Sequence, residues 1–122
     1  MNVSRVVPNI CTNRFKESIE FYTSLFGFHV AMDMDWIVTL ASPENPKAQI
    51  SLVRSEREPC RGDDPLLSLE VSDVDHVHSE AVARGYGIVY PLTDEPWGVR
   101  RFFLKDPSGL VINVLSHIQE AG

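Results

Sequence analysis

The stretch Asn13-Arg14-Phe15-Lys16-Glu17-Ser18-Ile19-Glu20-Phe21-Tyr22-Thr23-Ser24-Leu25-Phe26-Gly27-Phe28 decides the fold of this chain. Phe15, Ile19, Tyr22 and Phe26 recur at the spacing that lines up one face of an α-helix. Asn13 stands where an N-cap acceptor belongs, and Gly27 where a left-handed C-terminal residue is needed. Phe21, Tyr22 and Phe26 are therefore read as core. Upstream, Val6-Val7-Pro8-Asn9-Ile10-Cys11 is an apolar, partly β-branched run that suits a strand. Downstream lie three further strand candidates, at 28–32, 36–41 and 48–53. Ser42-Pro43-Glu44-Asn45-Pro46 separates the last two, and its prolines forbid continuous helix or strand.

The order then repeats. The polar, breaker-rich stretch 55–65 reads as a linker. Beyond it, 66–71 suits a strand, and Asp73 can cap a helix carrying Val74, Val77, Ala81 and Val82 that stops at Gly85. Strand candidates follow at 88–90, 99–105 and 110–115, with Asp106-Pro107-Ser108-Gly109 as a tight turn between the last two. The expected fold is α+β: two βαβββ modules, at about 4–54 and 66–117, forming a curved mixed sheet around a cavity with helices outside, in a single domain 1–122.

Strand alternation sorts the side chains. Ile50, Leu52, Leu67, Leu69, Phe102, Leu104, Ile112 and Val114 are expected on the helix side, as are Val6, Pro8 and Ile10. Val7, Asn9, Cys11, Ser51, Leu66, Ser68, Glu70, Arg101, Phe103 and Asn113 are expected to face the cavity. Polar groups thus collect on one face.

Composition narrows the function. The chain has 122 residues and a formal net charge of −6, which argues against nucleic acid as a partner. Arg100-Arg101 is the single basic doublet. No run approaches the roughly 20 apolar residues that span a bilayer, so no membrane partner is expected and a cytoplasmic location is. Cys11 and Cys60 lack metal or disulfide spacing and are read as free thiols. No phosphate-binding loop, dinucleotide fingerprint or nucleophile elbow is present. His76 and His78, two residues apart on a helix, splay by about 200°, and His29 and His117 fall near strand ends.

Ser18-Ile19-Glu20-Phe21-Tyr22, Leu25-Phe26-Gly27-Phe28, Trp97-Gly98 and Asp106-Pro107-Ser108-Gly109, in this order and spacing, resemble the vicinal-oxygen-chelate superfamily of glyoxalases, bleomycin-resistance proteins and extradiol dioxygenases. The resemblance runs from Val6 to Ser116. It implies four inward positions that hold a divalent metal in the superfamily's enzymes, and these fall here on Asn9, Ser51, Leu66 and Asn113. None is His, Glu, Asp or Cys, so no metal and no cofactor are expected, and enzyme activity is disfavoured.

Cavities without metal ligands resemble those of bleomycin-resistance proteins, which bind an antibiotic unchanged. Trp36 and Trp97 stand where such proteins place aromatics that stack on a planar drug, with packing at a rim or interface as the plainer alternative. Pro8 resembles the hinge at which those proteins exchange an N-terminal arm, which implies a homodimer. Arg101 would meet a ligand carbonyl, phenolate or carboxylate, unless it pairs with Glu70 or is solvated. The expected function is metal-independent sequestration of a planar aromatic antibiotic, bleomycin-like or anthraquinone-enediyne-like, giving resistance. The ligand would contact Trp36, Trp97, Phe103, Asn9, Ser51, Asn113, Arg101 and Leu66. The alternative is a lyase, isomerase or dioxygenase-type enzyme acting on a small carbonyl or aromatic substrate, with Glu70 as base. A vestigial cavity in an interaction protein is the third reading.

Overall fold

The computed structural model describes residues 2–56 and 62–118. Cys60, expected as a free thiol, and the middle of the expected linker lie outside the described residues. The chain divides into two compact units, Met1–Pro59 and Cys60–Gly122, a boundary within the stretch read as a linker.

In the first unit the order is β1 (Asn9–Thr12), α1 (Phe15–Phe26), β2 (His29–Asp33), β3 (Ile37–Ala41) and β4 (Gln49–Arg54). The sheet runs β1-β4-β3-β2, with β1 parallel to β4 and the other pairs antiparallel. α1 packs on β4. Ile10, Val38, Leu40, Ile50 and Leu52 from the strands and Phe15, Phe21, Tyr22 and Leu25 from the helix are buried, so both elements bury their apolar face against each other. Ring contacts close the helix end: Phe21 meets Tyr22 edge-on at 4.9 Å, and Tyr22 meets Phe28 at 6.3 Å. Gly27 takes φ 73° and ends the helix, as its position in the sequence requires.

Three expectations are corrected here. The buried stripe is Phe15, Ser18, Tyr22 and Leu25 with Phe21, while Ile19 and Phe26 are half-buried. The N-cap is Arg14, not Asn13, and its side chain makes no cap bond. Instead Thr12 Oγ1 accepts from Arg14 N at 2.9 Å and bonds Ser18 Oγ at 3.0 Å, tying strand to helix. Finally, β1 starts at Asn9: Val6 is 71% exposed, and Pro8, also exposed, contributes only its carbonyl, accepting from Ser51 N at 2.9 Å. A residue without an N–H fits ahead of a ladder rather than within it.

The second unit repeats the order: β5 (Leu67–Glu70), α2 (Val74–Ala83), β6 (Ile88–Glu95), β7 (Val99–Lys105) and β8 (Val111–His117), in a sheet β5-β8-β7-β6 with β5 parallel to β8. Asp73 caps α2, accepting from His76 N at 3.1 Å, and Gly85 takes φ 78° past its end. α2 packs on β7 and β8, burying Val74, Val77 and Ala81 against a sheet face with Phe102, Leu104, Ile112 and Val114. Val82, expected in that stripe, is 54% exposed. Asp106 organises the β7–β8 turn: its Oδ1 accepts from Ser108 N at 2.8 Å, Ser108 Oγ at 2.5 Å and Leu110 N at 3.0 Å. β6 runs five residues beyond the expected 88–90, through Pro91, with two register shifts against β7. It is an edge strand, where a missing N–H leaves no ladder partner unpaired.

The α+β class and the twofold βαβββ repeat are thus as expected, each module carrying its own four-stranded mixed sheet.

Candidate ligand-binding site

Strict alternation along β7 buries Phe102 and Leu104 against α2 and leaves Arg101 and Phe103 on the opposite sheet face, as the sequence predicts. The β6–β7 connection is a tight turn over Glu95-Pro96-Trp97-Gly98, closed by Gly98 N donating to Glu95 O at 3.1 Å, with Gly98 at φ 92°. That turn brings Trp97 over the strand that follows it. The Arg101 guanidinium lies 4.9 Å from the Phe103 ring centroid, 5.1 Å from Trp97 and 5.4 Å from Tyr90. Tyr90 and Phe103 are neighbours across the β6–β7 pair, ring centroids 4.8 Å apart.

Glu95 anchors this cluster. Its Oε2 accepts from Arg101 Nε at 3.1 Å and lies 2.9 Å from Nη2 in an ion pair, and its Oε1 accepts from the Tyr90 hydroxyl at 3.1 Å. The Glu95 side chain is only 9% exposed against 23% for Arg101. A carboxylate this covered is tolerable because both oxygens are satisfied. The result is an aromatic and guanidinium platform with Trp97, 63% exposed, at its outer edge.

Beside it, β8 pairs Asn113 with Phe103 on one side and Ser68 of β5 on the other. Asn113 Nδ2 donates to Ser68 Oγ at 3.2 Å, while Asn113 Oδ1 is buried with no hydrogen-bond partner. The first unit holds the matching pair, Asn9 of β1 opposite Ser51 of β4, and Ser51 Oγ bonds Thr39 Oγ1 at 2.7 Å. The two ladders correct one expectation. The counterpart of Asn9 is Ser68, not Leu66. Leu66 precedes β5, is 70% exposed and donates its backbone N–H to Val111 O.

The register also separates Trp36 from the other first-unit candidates. Trp36 follows the tight turn in which Asp33 Oδ1 accepts from Asp35 N and Asp35 takes φ 73°. Its carbonyl accepts from Arg54 N, so it shares a row with Arg54 and Thr12. Those residues meet α1, Arg54 over the Phe15 ring at 4.4 Å and Thr12 through Ser18. Asn9, Ser51, Thr39 and Met32 form a different row. Trp36 remains 56% exposed.

The structure therefore brings Arg101, Trp97 and Phe103 into direct contact and places Asn113 in the next strand. Tyr90, Glu95 and Ser68 belong to the same constellation and were missed as site residues. The signal was available: Pro96-Trp97-Gly98 marks a hairpin, and counting back across it pairs Glu95 with Val99, which puts it diagonal to Arg101 on the same sheet face. Glu70, weighed as an Arg101 partner, instead pairs with His117 Nδ1 at 3.0 Å, both side chains exposed. Cys11 is a free, exposed cysteine. His78 rests edge-on against Phe102 at 5.0 Å.

A divalent metal of the kind the fold implies does not fit these residues. The β1–β4 pair offers an amide and a hydroxyl already bonded to Thr39, and the β5–β8 pair a hydroxyl and an amide bonded to each other. Such neutral donors lack the imidazole, carboxylate or thiolate that zinc, manganese or iron require. Among the described residues no group of three or more His, Cys, Asp or Glu could hold a metal ion. A pocket of about 240 Å³ lies elsewhere in the second unit, by Ser72, Asp75, Arg100 and His117 at the start of α2. Arg100 there is occupied by Asp75 and Asp94, at 3.0 and 2.5 Å. Among the described residues no helix is long and apolar enough to cross a membrane.

Two strand-helix-three-strand units, each a four-stranded mixed sheet backed by one helix, define a βαβββ-repeat α+β protein. The chain belongs to the Glyoxalase/Bleomycin resistance protein/Dioxygenase superfamily, whose family model matches residues 3–114. It is similar to the structure of a superfamily member from Sphaerobacter thermophilus DSM 20745, with a TM-score of 0.79 and 23% identity over 96% of this chain and 99% of that one. It is similar to TnmS3, an antibiotic binding protein from Streptomyces sp. CB03234, with a TM-score of 0.74 and 24% identity over 96% and 98%. TioX from Micromonospora sp. ML1 gives 0.73 and 22% over 95% and 100%. At these identities the likeness establishes the fold. No curated protein matches the sequence.

Proposed function

We propose that this protein binds a planar aromatic natural product, an antibiotic of the bleomycin or anthraquinone-enediyne kind, and confers resistance by holding it without chemical change. The observation that carries this reading is the platform of Trp97, Arg101, Phe103 and Tyr90. Flat rings and a stacked guanidinium hold a conjugated ligand by dispersion and offset stacking, and neither supplies a nucleophile or a bound metal. Likeness to TnmS3, an antibiotic binding protein, is a second support. Asn113 and Ser68 are assigned to the same function as polar contacts on the platform's sheet face, Ser68 in place of Leu66; Asn9 and Ser51 are the corresponding polar pair of the first unit, and Trp36 lies in the row that meets α1.

A homodimer in the cytoplasm completes the proposal. Every residue of β2, an edge strand, is exposed, and Val30, Met32 and Met34 leave apolar area there for a second copy to cover. Size-exclusion chromatography with light scattering tests it: a mass near the 13.7 kDa of one chain at micromolar concentration refutes the dimer.

The enzyme alternative rests on Glu70 as base. Glu70 is exposed and engaged with His117 Nδ1 at 3.0 Å rather than with the aromatic platform. The deciding experiment is titration of the purified, metal-analysed protein with a panel of planar antibiotics, following tryptophan quenching and recovering ligand for mass spectrometry. Saturation near one ligand per chain with intact ligand is expected. Altered ligand, or metal at unit stoichiometry, overturns the reading.

A further inference from the structure

We infer that the ligand carries an acceptor oxygen on its aromatic system, a carboxylate, phenolate or quinone-type carbonyl, and that Arg101 docks it, so that a cationic aromatic of the same shape is rejected. This rests on the sequestering reading above and adds the ligand's charge class to it, which selects the anthraquinone-enediyne kind over the cationic bleomycin kind. The geometry points to it through donor accounting. A guanidinium has five N–H donors. Arg101 spends one on Glu95 Oε2, through Nε at 3.1 Å, with Nη2 in ion-pair contact with the same oxygen at 2.9 Å. Nη1 has no partner among the described residues.

Glu95 shows the opposite balance. Both its oxygens are engaged, one by Arg101 and one by the Tyr90 hydroxyl, and its side chain is 9% exposed against 23% for Arg101. The ion pair therefore turns its anionic member inward and its donor-bearing cationic member outward. An approaching cation finds no open carboxylate in this pair, and Glu70, in the same cross-strand row through Leu115, is exposed but engaged by His117 Nδ1. It also finds no free cation-binding cage, because Tyr90, Trp97 and Phe103 already surround the resident guanidinium at 4.9 to 5.4 Å. An acceptor oxygen finds the reverse: N–H groups held in a plane by Glu95, beside exposed indole on which the attached ring can lie.

The test uses the full chain and three probes of similar shape whose ring system itself carries no acceptor oxygen: anthracene-2-carboxylate, anthracene-2-carboxamide and 2-(aminomethyl)anthracene, the last cationic at pH 7. Binding is followed by calorimetry alongside Arg101→Gln, Arg101→Lys and the double variant Glu95→Gln/Arg101→Gln. The double variant keeps a neutral hydrogen-bonding pair in case Arg101→Gln alone leaves Glu95 unpaired and unfolds the protein. The carboxylate is expected to bind about tenfold or more tighter than the ammonium compound, the range of a charge-assisted hydrogen bond. Both variants carrying Arg101→Gln are expected to erase that preference, and Arg101→Lys to keep part of it. Equal binding of all three probes by the wild type, or a preference that survives in the double variant, overturns the inference and leaves the sequestering reading standing. No binding of any probe overturns both.

Discussion

Replacing Trp97 by Ala separates a ligand contact from a packing residue. Trp97 is 63% exposed, so a little over a third of its surface is covered, and its ring meets the Arg101 guanidinium at 5.1 Å. A tryptophan offers up to about 250 Å², so roughly 90 Å² is buried, worth at most about 2 kcal/mol at about 25 cal/mol per Å². The cation–π contact at such an exposed site is included in that figure to within about 0.5 to 1 kcal/mol. Unfolding in urea should therefore show a loss of about 1 to 2 kcal/mol with an unchanged slope. Binding should suffer more. A planar ligand stacked on the outer indole face covers roughly 80 Å², about 2 kcal/mol, with about 1 kcal/mol of stacking besides, so affinity should fall on the order of 100-fold. Calorimetric titration with the tightest antibiotic from the panel measures it, since fluorescence would lose one of the chain's two tryptophans. Affinity within about twofold of wild type together with a stability loss above about 3 kcal/mol would show that Trp97 is a packing residue, and the stacking argument would fall.

Asn113→Leu removes the buried Oδ1 that has no partner and substitutes a side chain of similar volume; the melting temperature should hold or rise, because an unsatisfied buried polar atom costs about 1 to 3 kcal/mol. A drop of more than about 5 °C would mean that the amide is satisfied in solution. Thr12→Val breaks the buried bonds to Ser18 Oγ and Arg14 N and should cost about 1 to 3 kcal/mol in chemical denaturation, and an unchanged midpoint would show that α1 docks without them. Asp94 has its pKa held below the ordinary 3.8, first by the hydrogen bond from Arg100. Its folded value lies below its unfolded one, so the stabilisation is present above about pH 4 and is lost as pH falls through the folded value. The stability gap between wild type and Asp94→Asn should accordingly be larger at about pH 7 than at about pH 2.5, and a gap that grows on acidification contradicts the assignment.

Much of the architecture was legible because it rests on local rules. Gly27, Gly85 and the Asp73 cap end or start helices through backbone geometry that neighbouring residues alone specify. The Asp106 turn closes through bonds within five residues. Alternation on β7 sorted Phe102 and Leu104 from Arg101 and Phe103 correctly, because the β8 neighbour of that strand holds it in an unbroken ladder through the sorted residues. Where the ladder is irregular or ends, counting failed: β6 outran its expected span, and the β5 counterpart of Asn9 came out two residues early, at Leu66 instead of Ser68.

Periodicity and turn chemistry, written in adjacent residues, were enough to read the α+β class, the twofold repeat and the residue types on the sheet face, and the motif resemblance pointed to the family. Who meets whom on that face followed from the folded arrangement alone. Glu95 rather than Glu70 holds Arg101, Ser68 rather than Leu66 answers Asn113, and Trp36 sits in a row that leads to α1. Partnership across a sheet depends on register, and register is set by strand pairing over the whole ladder, which no single stretch of sequence encodes.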